Sequence, residues 1–321
     1  MKKKRKIWLR MLIGLLIVLL AINFGIGLFF YNLAIERNVK DFLSGNEDLE
    51  VSAEAMETFL EGDWRTWHDE QRFQQLQIEA IDGIMLNGYF LEAKEPSNKV
   101  VLFAHGYLGH AKDMSLFGQH YVEKLGFHMV SPDSRGHGKS EGNYIGFGWH
   151  DRLDHLQWIE WIIEKLGEDV EIVLHGLSMG AATVLMTSGE DLPEQVKAIV
   201  ADSPYSSVYQ LFSYQLERMF HLPDIPFLPT LSLVTNMRAG YTLKEASALE
   251  QVKKAEVPIL YVHGKEDTFV PTAMTENLYE ATNSEAELFI VPGASHGESI
   301  VLEQEAYLDQ LQSFLNRYIE I

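Results

Sequence analysis

From residue 73 onward the apolar positions of this chain fall into two alternating kinds of run. Residues 99–104, 127–130, 170–174, 198–201, 257–262 and 287–291 are short, almost uninterrupted apolar stretches, the pattern of strands covered on both faces. Between them the period lengthens. Residues 151–165 place Leu153, Leu156, Ile159, Ile162 and Ile163 on one helical face, and residues 303–318 form the last such helix. Buried strands alternating with amphipathic helices predict an α/β fold, a doubly wound and mostly parallel sheet with right-handed crossovers. Residues 75–80 and 84–91 read as a hairpin turning at Asp82-Gly83, because Asp-Gly supports the positive φ such turns require. One segment breaks the rhythm. Residues 205–248 are too long for a crossover and contain an apolar, proline-interrupted run at 220–229, which predicts a helical lid insertion.

The chain begins differently. Lys2, Lys3, Lys4, Arg5, Lys6 and Arg10 precede an uncharged apolar run over residues 11–31. As a helix it spans roughly 30 Å, the thickness of a bilayer's hydrocarbon core. The run is longer than the apolar region of a cleaved signal peptide and ends in Phe29-Phe30-Tyr31 rather than in small residues. A retained transmembrane signal anchor is therefore expected, with residues 1–10 as a basic cytoplasmic segment. Retention of the positive charges inside predicts a cell-membrane protein with the bulk of its chain on the extracellular side. Residues 32–72, with Glu47, Asp48, Glu50, Glu54, Glu57 and Glu61, read as an acidic helical stalk, and residues 73–321 as the α/β domain.

Charge narrows the partners. Six of the 26 basic residues precede position 11, leaving 20 against 46 acidic residues and a net charge of −26 for residues 11–321. Such a body repels nucleic acid, which is excluded as a partner. With no cysteine, disulfides, thiolate catalysis and cysteine-ligated zinc are excluded too.

Two pentapeptides match Gly-x-Ser-x-Gly: 176–180 and 293–297. A nucleophile elbow needs a strand, a sharp turn and a helix, with only small residues tolerated around the strained serine. Residues 170–174 supply the strand for Ser178 and residues 179–187 the helix, whose positive end would face a developing oxyanion. A serine hydroxyl becomes nucleophilic when a neutral imidazole takes its proton and a carboxylate orients that imidazole. The order expected for this elbow is serine, acid, histidine. Asp267 and His296 both follow Ser178 after strand-like runs, whereas Ser295 has no histidine downstream beyond its immediate neighbour. Ser178 is thus the expected nucleophile, and the second pentapeptide the loop presenting His296. Gly106, after the strand at 99–104, frees the backbone to aim the Tyr107 N–H at the site, beside that of Met179.

These motifs, with Asp133-Ser134-Arg135-Gly136-His137-Gly138-Lys139-Ser140 and Asp202-Ser203-Pro204, resemble the serine α/β-hydrolase superfamily, particularly bacterial membrane-anchored hydrolases related to serine aminopeptidases and acylglycerol lipases. The resemblance covers roughly residues 73–321. It implies an α/β-hydrolase fold, triad roles for Ser178, Asp267 and His296, and oxyanion amides at Tyr107 and Met179. It implies no cofactor and no metal. Asp202 also follows a strand and rivals Asp267; the resemblance selects Asp267.

Other motifs have plainer readings. Gly138-Lys139-Ser140 lacks the first glycine of a phosphate loop, Asp133 standing there. Asp151 and His155 lie one helical turn apart, as some metal ligands do, but read as a solvated helix start. His105, His175 and His263 each precede a glycine at a strand end and read as packing groups. The expected function is cleavage of acyl esters, on a small-molecule acyl ester or peptide substrate. The nearest rival is a peptidase, in which Glu217 or Asp224 of the lid would bind a free amine. A non-catalytic surface protein of the same fold is the rival from another class.

Overall fold

Hydrogen bonding joins the short apolar runs into one sheet in the computed structural model, which describes residues 2–38, 40 and 52–320. Among these residues eight strands pair in the order β1-β2-β4-β3-β5-β6-β7-β8. They are β1 (Gln74–Glu79), β2 (Met85–Leu91), β3 (Lys99–Ala104), β4 (His128–Pro132), β5 (Glu171–Leu177), β6 (Val196–Asp202), β7 (Ile259–Gly264) and β8 (Ala286–Val291). β1 and β2 form the antiparallel hairpin, β2 pairs antiparallel with β4, and all other pairings are parallel. The continuous apolar runs are explained by burial on both faces. Along β3, Val100, Leu102 and Ala104 join the hydrophobic cluster on one side of the sheet, while Val101 and Phe103 join the cluster on the other.

Helices cover both faces. In chain order they are α1 (Lys2–Phe30), α2 (Ala53–Glu61), α3 (Asp63–Glu70), α4 (Ser115–Glu123), α5 (Asp151–Leu166), α6 (Met179–Thr187), α7 (Val208–Phe220), α8 (Asp224–Ala239), α9 (Ala248–Val252), α10 (Thr272–Ala281), α11 (Ser299–Leu302) and α12 (Gln304–Leu315). The α1 helix is long and apolar enough to cross a bilayer. It continues into a π-helical turn, Tyr31–Ile35, whose Tyr31 and Ile35 are buried. The segment expected to be a lid folds largely as α7 and α8.

Two local expectations are corrected. The described part of the expected stalk is not a free spacer. Glu57 and Glu61 point outward, but Trp64 and Trp67 are buried. Trp67 donates its indole N–H to Glu123 Oε1 (2.7 Å) and His68 Nδ1 lies 2.7 Å from Ser115 Oγ, fixing α3 on α4. Two tryptophans bury more apolar surface than a solvated stalk could leave exposed. Glu47, Asp48 and Glu50, and the Glu54 side chain, lie outside the described residues. The start of α5 is likewise not solvated: Asp151, Asp154 and His155 are all buried. Arg135 explains this. Its Nε and Nη2 donate to the two Asp154 oxygens (2.8 and 2.6 Å), and its Nη1 donates to Asp82 (2.8 Å). A bidentate guanidinium–carboxylate pair tolerates burial because both charges are paired and hydrogen-bonded.

Candidate active site

The elbow is built where β5 meets α6. Ser178 has φ 55° and ψ −113°, a strained conformation for a residue with a Cβ. Its N–H is tied to the Asp202 carbonyl at 2.7 Å. The flanking glycines are required by contact. A Cβ on Gly176 would strike the Gly180 backbone, and one on Gly180 the Ala104 carbonyl. Only small residues therefore let α6 approach β3 and β5 closely enough to hold the turn.

Because β5, β6, β7 and β8 are neighbours in the sheet, the loops after their carboxyl ends converge. The loop after β7 carries Asp267 and the loop after β8 carries His296. His296 Nε2 lies 2.8 Å from Ser178 Oγ, and His296 Nδ1 lies 2.6 Å from Asp267 Oδ2. The other Asp267 oxygen accepts from the Phe269 and Val270 amides (2.9 and 2.8 Å). A proton can thus pass from hydroxyl to imidazole while the carboxylate keeps Nδ1 protonated. Asp202 is held apart from this chain, its Oδ1 accepting from Ser203 Oγ at 2.9 Å. Burial pushes the Asp202 carboxyl up to about 6.

The electrostatics suit that arrangement. Burial alone would raise the Asp267 carboxyl, but His296 and His263 beside it hold it well below the usual carboxylate range. Burial opposes a charged His296, yet Asp267, with a smaller contribution from Asp202, raises the imidazole above its ordinary value. His263 is more than packing: its Nε2 is 2.9 Å from Asp267 Oδ2 and 2.9 Å from the Val270 carbonyl. Both are acceptors, which places the proton on Nε2. The acid therefore receives two imidazole donors.

Two further histidines fix the loop after β3. His105 Nδ1 donates to the Gly106 carbonyl (2.8 Å) and its Nε2 accepts from the Ser134 amide (2.9 Å). His137 Nε2 accepts from the Leu108 amide (3.3 Å) while Nδ1 donates to the Arg135 carbonyl (3.0 Å). Burial, with His105 nearby, lowers His137 to about 3, so it stays neutral and able to accept. A Cβ on Gly106 would lie 3.6 Å from that of Ser178, so the Gly106 backbone runs directly past the serine. Met179, as the first residue of α6, has an N–H without an intrahelical acceptor. The octapeptide 133–140 holds its own loop: Asp133 accepts from the Ala111 and Lys139 amides at 3.0 and 2.9 Å.

Ser178 opens into a cavity lined almost wholly by apolar side chains, among them Phe147, Leu211, Phe212, Phe227, Leu231 and Phe269. Among the described residues its lining includes no carboxylate. Glu217 is exposed, and Asp224 is occupied by Ser213 (2.7 Å) and Tyr209 (3.3 Å). Sequence reasoning missed the bonds of His137 and His263; the only signal was a histidine before a glycine, common at strand ends.

Comparison with known proteins agrees with the geometry. Residues 95–242 match a family model described as serine aminopeptidase, S33, and residues 223–307 one described as the dienelactone hydrolase family. The chain is 28% identical to the protein YqkD of Bacillus subtilis over 77% of its length and 82% of the relative's. It is 27% identical to a lysophosphatidylserine lipase of Danio rerio over 67% of its length and 54% of the relative's. An esterase of Pyrococcus furiosus has the same fold, with a TM-score of 0.63 and 23% identity, covering 78% of this chain and 91% of that one. The chain is a serine hydrolase of the α/β-hydrolase superfamily.

Proposed function

We propose that this protein is a membrane-anchored hydrolase of carboxylic acyl esters, working at the extracytoplasmic face. Ser178 attacks the ester carbonyl, and His296 takes its proton and returns it to the leaving alcohol. Asp267 orients His296, while the Tyr107 and Met179 amides receive the oxyanion. Water, activated by the same imidazole, then releases the acid. The observation that carries the ester reading is the apolar cavity beside Ser178, whose lining among the described residues offers no carboxylate to a substrate amine. A residue range resembling serine aminopeptidases favours amide cleavage as the second reading. The two separate on purified full-length protein offered short acyl esters and aminoacyl amides: faster Ser178-dependent amide turnover would reverse the order. The basic residues before α1 motivate the orientation; full protection of the body from protease added outside intact cells would refute it.

The pH profile follows from His296. Only the neutral imidazole accepts the serine proton, and its pKa is raised. The acid limb of kcat/KM should therefore have its midpoint above the ordinary histidine value of about 6.5, with activity falling as pH drops through it. Asp267, held low, stays ionised throughout. A midpoint below the ordinary histidine value would contradict this account.

A further inference from the structure

The cavity at Ser178 has an unexpected wall. Phe30, at the end of α1, and Leu33 and Ala34 in the turn that follows line the same space as Ser178 and Met179. This wall is stitched to the catalytic body. Tyr107 donates its hydroxyl to the Ala34 carbonyl at 2.7 Å. The Ile145 amide donates to the Ile35 carbonyl (2.8 Å), and the Arg37 amide to the Asn143 carbonyl (2.9 Å). The α1 helix also lies on α8. Asn23 hydrogen-bonds Thr230, and a Cβ on Gly27 would collide with Thr230. Phe30 meets Phe220 edge-on, with ring centroids 5.2 Å apart.

The outer surface continues the apolar character. Leu233 and Met237 of α8 fall on the same helical stripe as Thr230, which touches α1. They are 53% and 68% exposed, and Phe29 of α1 is 56% exposed. Exposed apolar side chains beside a helix long enough to span a bilayer are costly in water and favourable in lipid. An apolar lining thus runs from the helix that would sit in lipid to the serine.

We infer that the end of α1 is a substrate-binding element as well as an anchor: Phe30, Leu33 and Ala34 form one wall of an acyl-chain site. The substrate class is then an acyl ester resident in the membrane, whose chain passes alongside α1 while its carbonyl reaches Ser178. This inference rests on the ester reading and on the anchor.

The test uses the full chain in detergent micelles, with p-nitrophenyl butyrate and p-nitrophenyl laurate as substrates. Ala34→Trp narrows the cavity and should lower the ratio of kcat/KM for laurate to that for butyrate about ten-fold or more, as added or missing methylenes in apolar pockets do. Phe30→Ala removes wall contact without filling space and should shift the same ratio in the same direction. Equal losses on both esters, or an unchanged ratio in both variants, would overturn the inference. Labelling of Ser178 by short-chain and long-chain alkyl fluorophosphonates reads the wall without ester turnover, and the variants should slow the long-chain probe selectively. A wild-type protein labelled selectively yet inert toward both esters would sink the ester reading and leave the wall in place. Failure of Ser178 to label with either probe would sink both.

Discussion

Ser178→Ala is expected to lower ester turnover by about 10⁴–10⁶-fold, the loss seen when a nucleophile acting with its histidine as a unit is removed. The fold should survive. The hydroxyl's polar neighbour is His296, and the strained φ belongs to the backbone, which alanine adopts no less readily than serine. Circular dichroism should be unchanged and fluorophosphonate labelling abolished. The companion substitution Ser295→Ala should stay within about two-fold, as surface changes away from special features do. In that pentapeptide the backbone is the working part: the Ser295 amide donates to Glu298 Oε2 at 2.8 Å. Persistent turnover in Ser178→Ala with loss in Ser295→Ala would exchange the two serines' roles.

Asp267→Asn should cost about 10³–10⁴-fold in kcat, the scale of a triad acid replaced by its amide. Four donors converge on this carboxylate: His296 and His263 on Oδ2, Phe269 and Val270 amides on Oδ1. An asparagine has only one oxygen to offer them. Its NH₂ must face either the two backbone amides or the two imidazoles, so His296 is left in the wrong tautomer or the loop is displaced. Asp202→Asn should cost less than about ten-fold, because Asp202 acts on His296 through charge at a distance rather than by a hydrogen bond. Kinetics of both variants decide the assignment, and a larger loss at Asp202 would reverse it.

Much of this arrangement was legible because it is local. A strand covered on both faces needs a continuous apolar run, so residues 99–104 coincide with β3. The other strands lie within a few residues of their runs. Their ends shifted where polar or glycine residues still pair in the sheet, as His263 and Gly264 do in β7. The helix after Ser178 coincides with α6 over residues 179–187, since glycine, a strained serine and a helix must follow in that order. Where the sequence misled, a distant partner was responsible. Asp151 and Asp154 look like a solvated helix start until Arg135 enters from another loop. Trp64 and Trp67 sit in an acidic segment, and nothing local reveals that α3 lies on α4.

The site follows the same division. By itself the sequence determined which serine follows a strand and opens a helix, because that depends on neighbours in the chain and on their backbone limits. It also determined the apolar length of the first helix. The family resemblance selected Asp267 over Asp202, but only the tertiary structure set Asp267 against His296. That contact depends on the adjacency of β5, β6, β7 and β8 and on loop geometry, which no local periodicity encodes. The tertiary structure also brought Phe30, Leu33 and Ala34 to the cavity of Ser178. An apolar run reads the same whether it meets lipid, a neighbouring helix or a substrate, and packing alone distinguishes them.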